Sequence, residues 1–99
     1  MNSPFAIARS GLDAAQLRLV SAAHNIANDA TPGMRRQVVR QESLTDGGVS
    51  ATIERIPAPG TDLAADMVEQ MAATYAFRAN LGVIRTQDAM LGTLLDVRA

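Results

Sequence analysis

The side chains whose chemistry suits catalysis or ligand binding are few in this sequence. His24 is the only histidine, and no cysteine or acidic pair stands near it at the spacing of metal ligands. A catalytic triad needs a nucleophile and an orienting carboxylate beside the histidine, and no motif supplies them. We therefore expect His24 to be structural, and we predict no catalytic residue, cofactor-binding residue, metal ligand or enzymatic activity.

Arg35, Arg36 and Arg40 form a basic cluster, for which phosphate binding is one interpretation. No aromatic residue is interleaved with the arginines and the chain has a net charge of −1, so nucleic acid is not an expected partner. The favoured interpretation is a positively charged strand edge that prevents unwanted strand pairing. The cluster also has the charge to face acidic residues of a neighbouring subunit.

The methionines and glycines favour structural roles. Met67, Met71 and Met90 are adaptable apolar side chains, which we interpret as packing residues. Gly47 and Gly48 lack the strand–loop–helix setting of a phosphate-binding loop, so they are predicted to form a turn.

The first predicted helix spans residues 4–28, because Ser3-Pro4 favours a helix start and the Thr31-Pro32-Gly33 segment ends it. Apolar residues recur along it at alternating spacings of three and four, as in a coiled-coil seam. They are Phe5, Ala8, Leu12, Ala15, Leu19, Ala22 and Ile26. We expect the seam to be buried, with Leu12, Leu19 and Ile26 supplying most of its apolar area.

The middle and the end of the chain predict a hairpin and a second helix. Segments 37–41 and 49–53 are β-prone and flank an Asp46-Gly47 turn signal, which predicts a hairpin or extended arm over 34–56. Thr61 or Asp62 is expected to cap a helix over 61–96.

The second helix carries more apolar surface than one partner helix can cover. We expect one stripe to pack against the first helix: Val68, Ala72, Tyr75, Ala79, Val83, Thr86, Met90, Leu94 and Val97. We expect a second set to contact another chain: Met67, Met71, Leu91 and Leu95. The predicted fold is mostly α, one domain over 1–99, with two long antiparallel terminal helices in a coiled-coil-like hairpin and a small β-hairpin or extended arm between them.

The composition predicts marginal stability for the isolated chain. It has 99 residues and 47% hydrophobic residues, but many of these are alanine and only 3% of the chain is aromatic. Alanine removes little apolar area from water, so we expect an oligomer in isolation. No apolar run approaches the roughly 20 residues that span a bilayer, so membrane insertion is not expected.

Segments at both ends resemble the bacterial flagellar axial proteins, the family of rod, hook and hook-associated proteins. The N-terminal match comprises residues 10–19 (SGLDAAQLRL), 25–28 (NIAN) and 31–35 (TPGMR). The C-terminal match comprises residues 66–69 (DMVE), 76–80 (AFRAN), 83–86 (VIRT) and 90–95 (MLGTLL). The region between the two matches is shorter than is usual in rod and hook proteins.

The resemblance implies a structural component of the flagellar basal body rod. Such a protein is made in the cytoplasm, exported by the flagellar type III apparatus and polymerised in the periplasmic rod with itself and other axial proteins. Asn25 and Asn28 then have two interpretations, helix capping with local hydrogen bonds or bonds to adjacent subunits. The short middle region keeps an alternative open, a related helical interaction module acting as adaptor, chaperone or assembly regulator.

Overall fold

The computed structural model describes residues 3–98, without the side chains of Val97 and Arg98. Its elements are α1 (Pro4–Ala27), β1 (Gln37–Ser43), β2 (Val49–Arg55) and α2 (Leu63–Arg98). The predicted fold class is confirmed: two long helices flank a small antiparallel hairpin.

The helix ends lie within two residues of their predicted positions because the capping side chains act as expected. The Ser3 hydroxyl accepts a hydrogen bond from the Ala6 N–H at 3.1 Å, with Pro4 following as the first helical residue. Asn28 is the C-terminal cap of α1. At the start of α2, a carboxylate oxygen of Asp62 accepts from the Ala65 N–H at 3.1 Å.

The hairpin lies along α1. Its register runs from Gln37 opposite Arg55 to Ser43 opposite Val49, so both strands extend two residues beyond the predicted segments. The strand base contacts α1 at Asn25, and the tip contacts α1 at Ser10. The helix rises about 22 Å between those two residues, close to the roughly 23 Å that a seven-residue strand spans. The helix therefore supports the whole length of the hairpin.

The two helices run antiparallel, and α1 is shared by both of its neighbours. Among the described residues, both strands pack on α1 and neither packs on α2. The molecule measures 63 × 25 × 14 Å, and α2 has 36 residues against 24 in α1. Phe5 in the first turn of α1 lines a groove with Leu91 and Leu94, so the end of α2 reaches past the start of α1.

The apolar core of this thin molecule consists mostly of alanine. Its buried apolar members are Ala8, Ala14, Ala15, Ala22, Met34 and Ala73. The alanines of the predicted seam are buried, whereas Leu12, Leu19 and Ile26 are half-buried and Phe5 is 48% exposed. The expected burial is therefore found only at the small residues of the seam.

The prediction that this stripe of α2 packs against α1 was wrong. Val68 is 66% exposed, Tyr75 is 78% exposed, and Ala72, Ala79, Val83, Thr86, Met90 and Leu94 are exposed as well. The side chain of Val97, the last member of that stripe, lies outside the described part. The face that meets α1 instead contains Asp66, Ala73 and Asn80.

A close fit at Gly11 places Asn80 on the face of α2 that meets α1. A Cβ added to Gly11 would lie 2.5 Å from the Asn80 amide oxygen, so the Asn80 side chain occupies the space that a larger residue at position 11 would fill. The bulky Phe77, Leu81 and Ile84 of α2 are half-buried, whereas the bulky residues of the predicted stripe are exposed.

Candidate functional site

A buried polar junction joins α1, α2 and the base of the hairpin. Asn25 and Asp66 are 2% and 3% exposed. The Asn25 amide nitrogen donates to the Gln37 carbonyl at 2.8 Å and to an Asp66 carboxylate oxygen at 3.1 Å. The Gln37 N–H donates back to the Asn25 side-chain oxygen at 2.8 Å. The Asn25 amide thus pairs with the strand as a neighbouring peptide group would.

Arg36 balances the buried charge of Asp66. Its guanidinium donates to both carboxylate oxygens, at 2.5 Å from Nη2 and 3.2 Å from Nε. These hydrogen bonds are the main cause of a raised pKa for the Arg36 guanidinium, which therefore stays charged when the pair is formed. A two-pronged pair of this kind fixes orientation as well as charge. The residues Asn25, Arg36, Gln37 and Asp66 are called the polar junction below.

A second ion pair lies about one helical turn away from the polar junction. The Arg18 guanidinium donates to the carboxylate of Glu69, tying the middle of α1 to α2. A cavity of about 170 Å³ lies between this pair and the polar junction. The Ser21 hydroxyl lines that cavity and has no hydrogen-bond partner within the described part of the chain.

The contacts between the helices repeat every seven residues. On α1 they involve Gly11, Arg18 and Asn25; on α2 the same spacing relates Asp66, the buried Ala73 and Asn80, while Arg18 pairs with Glu69 between them. A heptad spacing of polar and small residues was therefore the signal that would have identified the contact face. The large apolar residues of α2 on which the predicted stripe rests form a different stripe from this contact face.

The predicted assembly residues of α1 occupy different environments. Leu12, Leu19 and Ile26 are half-buried, and the amide of Asn25 is hydrogen-bonded within the chain. Asn28 makes local bonds: its amide nitrogen donates to the His24 carbonyl at 2.8 Å, and its amide oxygen accepts from the Thr31 hydroxyl at 3.4 Å. For Asn28 the geometry matches the capping interpretation.

The basic cluster does not form one continuous charged edge. Arg36 is committed to the polar junction, Arg40 pairs with Glu54 across the hairpin at 3.1 Å, and Arg35 donates to the Ile56 carbonyl at 3.0 Å. The expectation of an edge-protecting charge was thus incomplete, because it missed that Arg36 reaches α2.

His24 is exposed, with its ring nitrogen 3.5 Å from the Asn28 amide nitrogen. Within residues 3–98, no group of three His, Cys, Asp or Glu side chains is placed to hold a metal ion. No helix of the described chain is long and apolar enough to cross a membrane. The interactions around His24 are those of a helix end.

Most of the exposed large apolar side chains in the described part of the chain lie on α2. The residues expected to contact another chain are exposed, at 52% for Met67, 73% for Met71, 57% for Leu91 and 62% for Leu95. Clustered exposed apolar surface is typical of a protein interaction site. Two patches, together called the outer face below, contain these residues: Met67, Val68, Met71 and Tyr75 near the start of α2, and Met90, Leu91, Leu94 and Leu95 near its end, where the helix reaches past the start of α1.

Comparison with known families identifies the C-terminal part of the chain. Residues 56–97 match the family model described as flagellar basal body rod FlgEFG protein C-terminal. The match covers the whole of α2 except its last residue and begins in the preceding linker. No curated protein matches the chain. The resemblance to the flagellar rod and hook axial proteins is therefore confirmed, and the matched segment includes the outer face of α2 and, of the polar junction, Asp66 alone.

Proposed function

We propose that this chain is a structural subunit of the flagellar basal body rod and has no catalytic activity. The observation that carries the proposal is the coincidence of the matched segment with α2. That helix exposes most of its bulky apolar side chains, while Asp66 is paired with α1 and Ala73 is buried. A helix with this distribution is stabilised by packing against further helices.

The proposed subunit contacts use two sets of residues. Met67, Met71, Leu91 and Leu95 pack against helices of neighbouring axial proteins or of further copies. Leu12, Leu19 and Ile26, which are half-buried within one chain, become covered in the assembly. Asn28 contributes polar contacts at the end of α1, and Asn25 contributes indirectly by holding the hairpin base in place.

The small core is compatible with export by the flagellar type III apparatus. A chain whose buried apolar residues are nearly all alanine gains little free energy from burial, so it unfolds readily for passage through a narrow channel. After export from the cytoplasm, packing of the terminal helices supplies the missing burial in the periplasmic rod.

Gene deletion and fractionation test the proposed function. We expect deletion to stop rod completion, and we expect purified basal bodies from the parent strain to contain the protein. The alternative, a helical adaptor, chaperone or assembly regulator, is suggested by the short connection between α1 and α2. A protein required for rod completion but missing from purified basal bodies would support that alternative.

A charge substitution tests the outer face separately from export. Leu91→Asp places a charge where the proposed contact excludes water, which is costly without a partner. We expect normal secretion and loss of incorporation into basal bodies. Thr93→Asp is the matched control, because Thr93 is exposed on the opposite side of the same helical turn. Normal incorporation of the Leu91→Asp protein would contradict the proposed contact.

A further inference from the structure

The hairpin is attached to α1 at its tip and at its base, and only the attachment at the base also involves α2. At the tip, the Ser10 hydroxyl accepts a hydrogen bond from the Val49 N–H at 3.1 Å and donates to the Ile7 carbonyl at 2.7 Å. Both partners of this attachment belong to α1 and the hairpin. At the base, the polar junction adds a third element, because Asp66 of α2 binds Asn25 and Arg36 together.

We propose that the polar junction couples the docking of α2 on α1 to the position of the hairpin base. Neither strand packs on α2 among the described residues, so the side-chain link between the hairpin base and α2 runs through Asp66 and its two partners, beside the covalent linker that joins β2 to α2. The proposal concerns a single chain. It holds or fails independently of the proposed role in the rod.

The coupling follows from the cost of separating the buried charges. If the hairpin base moves away with Arg36, the Asp66 carboxylate stays in a buried position without its cation, which is strongly unfavourable. If α2 moves away instead, Asn25 and Arg36 lose the carboxylate that orients them. The low-energy arrangements therefore have both elements docked or both released.

The coupling gives α2 a means of influencing the start of β1, a strand that does not pack on it. A contact that holds α2 against α1 also holds Asp66, and through Asp66 it orders Arg36 and the start of β1. The attachment of the hairpin tip at Ser10 does not involve Asp66 or Arg36. The base and the tip of the hairpin should consequently respond differently to a change in α2.

Amide hydrogen exchange of the full-length protein under native conditions tests this inference. Ala73→Gly weakens α2 where it packs against α1 without adding bulk or charge, since Ala73 is fully buried. Glycine at this helical position should raise the equilibrium constant for local opening of α2 about five-fold. We expect the hydrogen-exchange rate to rise by the same factor at the amides of α2 from Val68 to Ala72. We expect the same rise at the Gln37 amide, which is hydrogen-bonded to Asn25. The Val49 amide at the tip serves as the internal control and should change much less.

The second part of this experiment compares the Asp66→Ala protein with the Asp66→Ala, Ala73→Gly double variant. In the Asp66→Ala protein, the Gln37 amide should exchange faster than in the parent chain. Adding Ala73→Gly should not change the Gln37 exchange rate further, because the link through Asp66 has been removed. An unchanged Gln37 rate in the Ala73→Gly protein would overturn the proposal. Equal acceleration at Val49 would overturn it too, since the opening would then involve the whole hairpin and not its base.

Discussion

The two faces of α2 differ in how their side chains are packed. The inner face places Asp66, Ala73 and Asn80 against α1, where Asp66 is paired, Ala73 is fully buried and the Asn80 side chain lies against Gly11. The outer face exposes Met71 and Tyr75 at 73% and 78%. The inner face gains specificity from hydrogen bonds and a buried ion pair. The outer face retains apolar area that a single chain does not use.

The difference shows that hydrophobicity alone does not decide which face of α2 is inside. Ala73 is buried and Tyr75 is exposed although the two residues are nearly adjacent in sequence. The Asn80 side chain lies against Gly11, where a larger residue at position 11 would collide with it. Exposed bulky residues of α2 such as Tyr75 leave apolar area uncovered in the single chain.

The largest expected effect is at the polar junction. Arg36→Ala leaves the buried Asp66 carboxylate without its cation, so we expect the free energy of unfolding to fall by about 3–5 kcal/mol. Arg40→Ala removes an exposed ion pair with Glu54 and should cost less than about 1 kcal/mol. Urea unfolding followed by circular dichroism measures both. Equal losses would mean that the polar junction has no special stabilising role.

A smaller effect is expected from added bulk on the inner face. Ala73→Leu forces side chain atoms between two closely packed helices, which should cost about 1–3 kcal/mol. Ala72→Leu is the matched control on the exposed side and should change stability by no more than about 0.5 kcal/mol. Thermal unfolding of the two proteins at equal, low concentration checks the comparison. A stabilising Ala73→Leu substitution would show that the helices are not in close contact there.

The smallest effect on the isolated chain is expected on the outer face. Met71→Ser removes an apolar side chain that is 73% exposed, so the free energy of unfolding of the monomer should change by no more than about 0.5 kcal/mol. Sedimentation equilibrium should show weaker self-association of this variant at high protein concentration. A large loss of monomer stability would place Met71 inside a single-chain core and contradict the assignment of the faces.

Capping and turn residues allowed most of the fold to be predicted from sequence. Ser3 and Asp62 sit at helix starts because their side-chain oxygens accept from the first free N–H groups, and this preference is local. The turn through Gly47 and Gly48 requires positive φ values of 95° and 89°, which glycine adopts readily. Local chemistry of this kind is visible in a sequence without any tertiary information.

The polar junction could not be predicted in the same way, because its members are far apart in sequence. Asn25, Arg36 and Asp66 come from different segments, and each has an ordinary local interpretation as a capping amide, a basic strand residue or a helix-start carboxylate. Their association depends on how closely α1 and α2 approach. The contact of Gly11 with Asn80, another part of that approach, is likewise tertiary and has no local sequence signal.

Cysteine accessibility tests the division of α2 into two faces most directly, because the sequence contains no cysteine of its own. Single cysteines would be introduced at Met71, Ala73 and Leu91, and their reaction with a thiol reagent would be compared between the isolated monomer and purified basal bodies. We predict that position 73 is protected in both states and that positions 71 and 91 react freely in the monomer and become protected after assembly. A reactive position 73 in the monomer, or positions 71 and 91 that react equally in both states, would contradict the account.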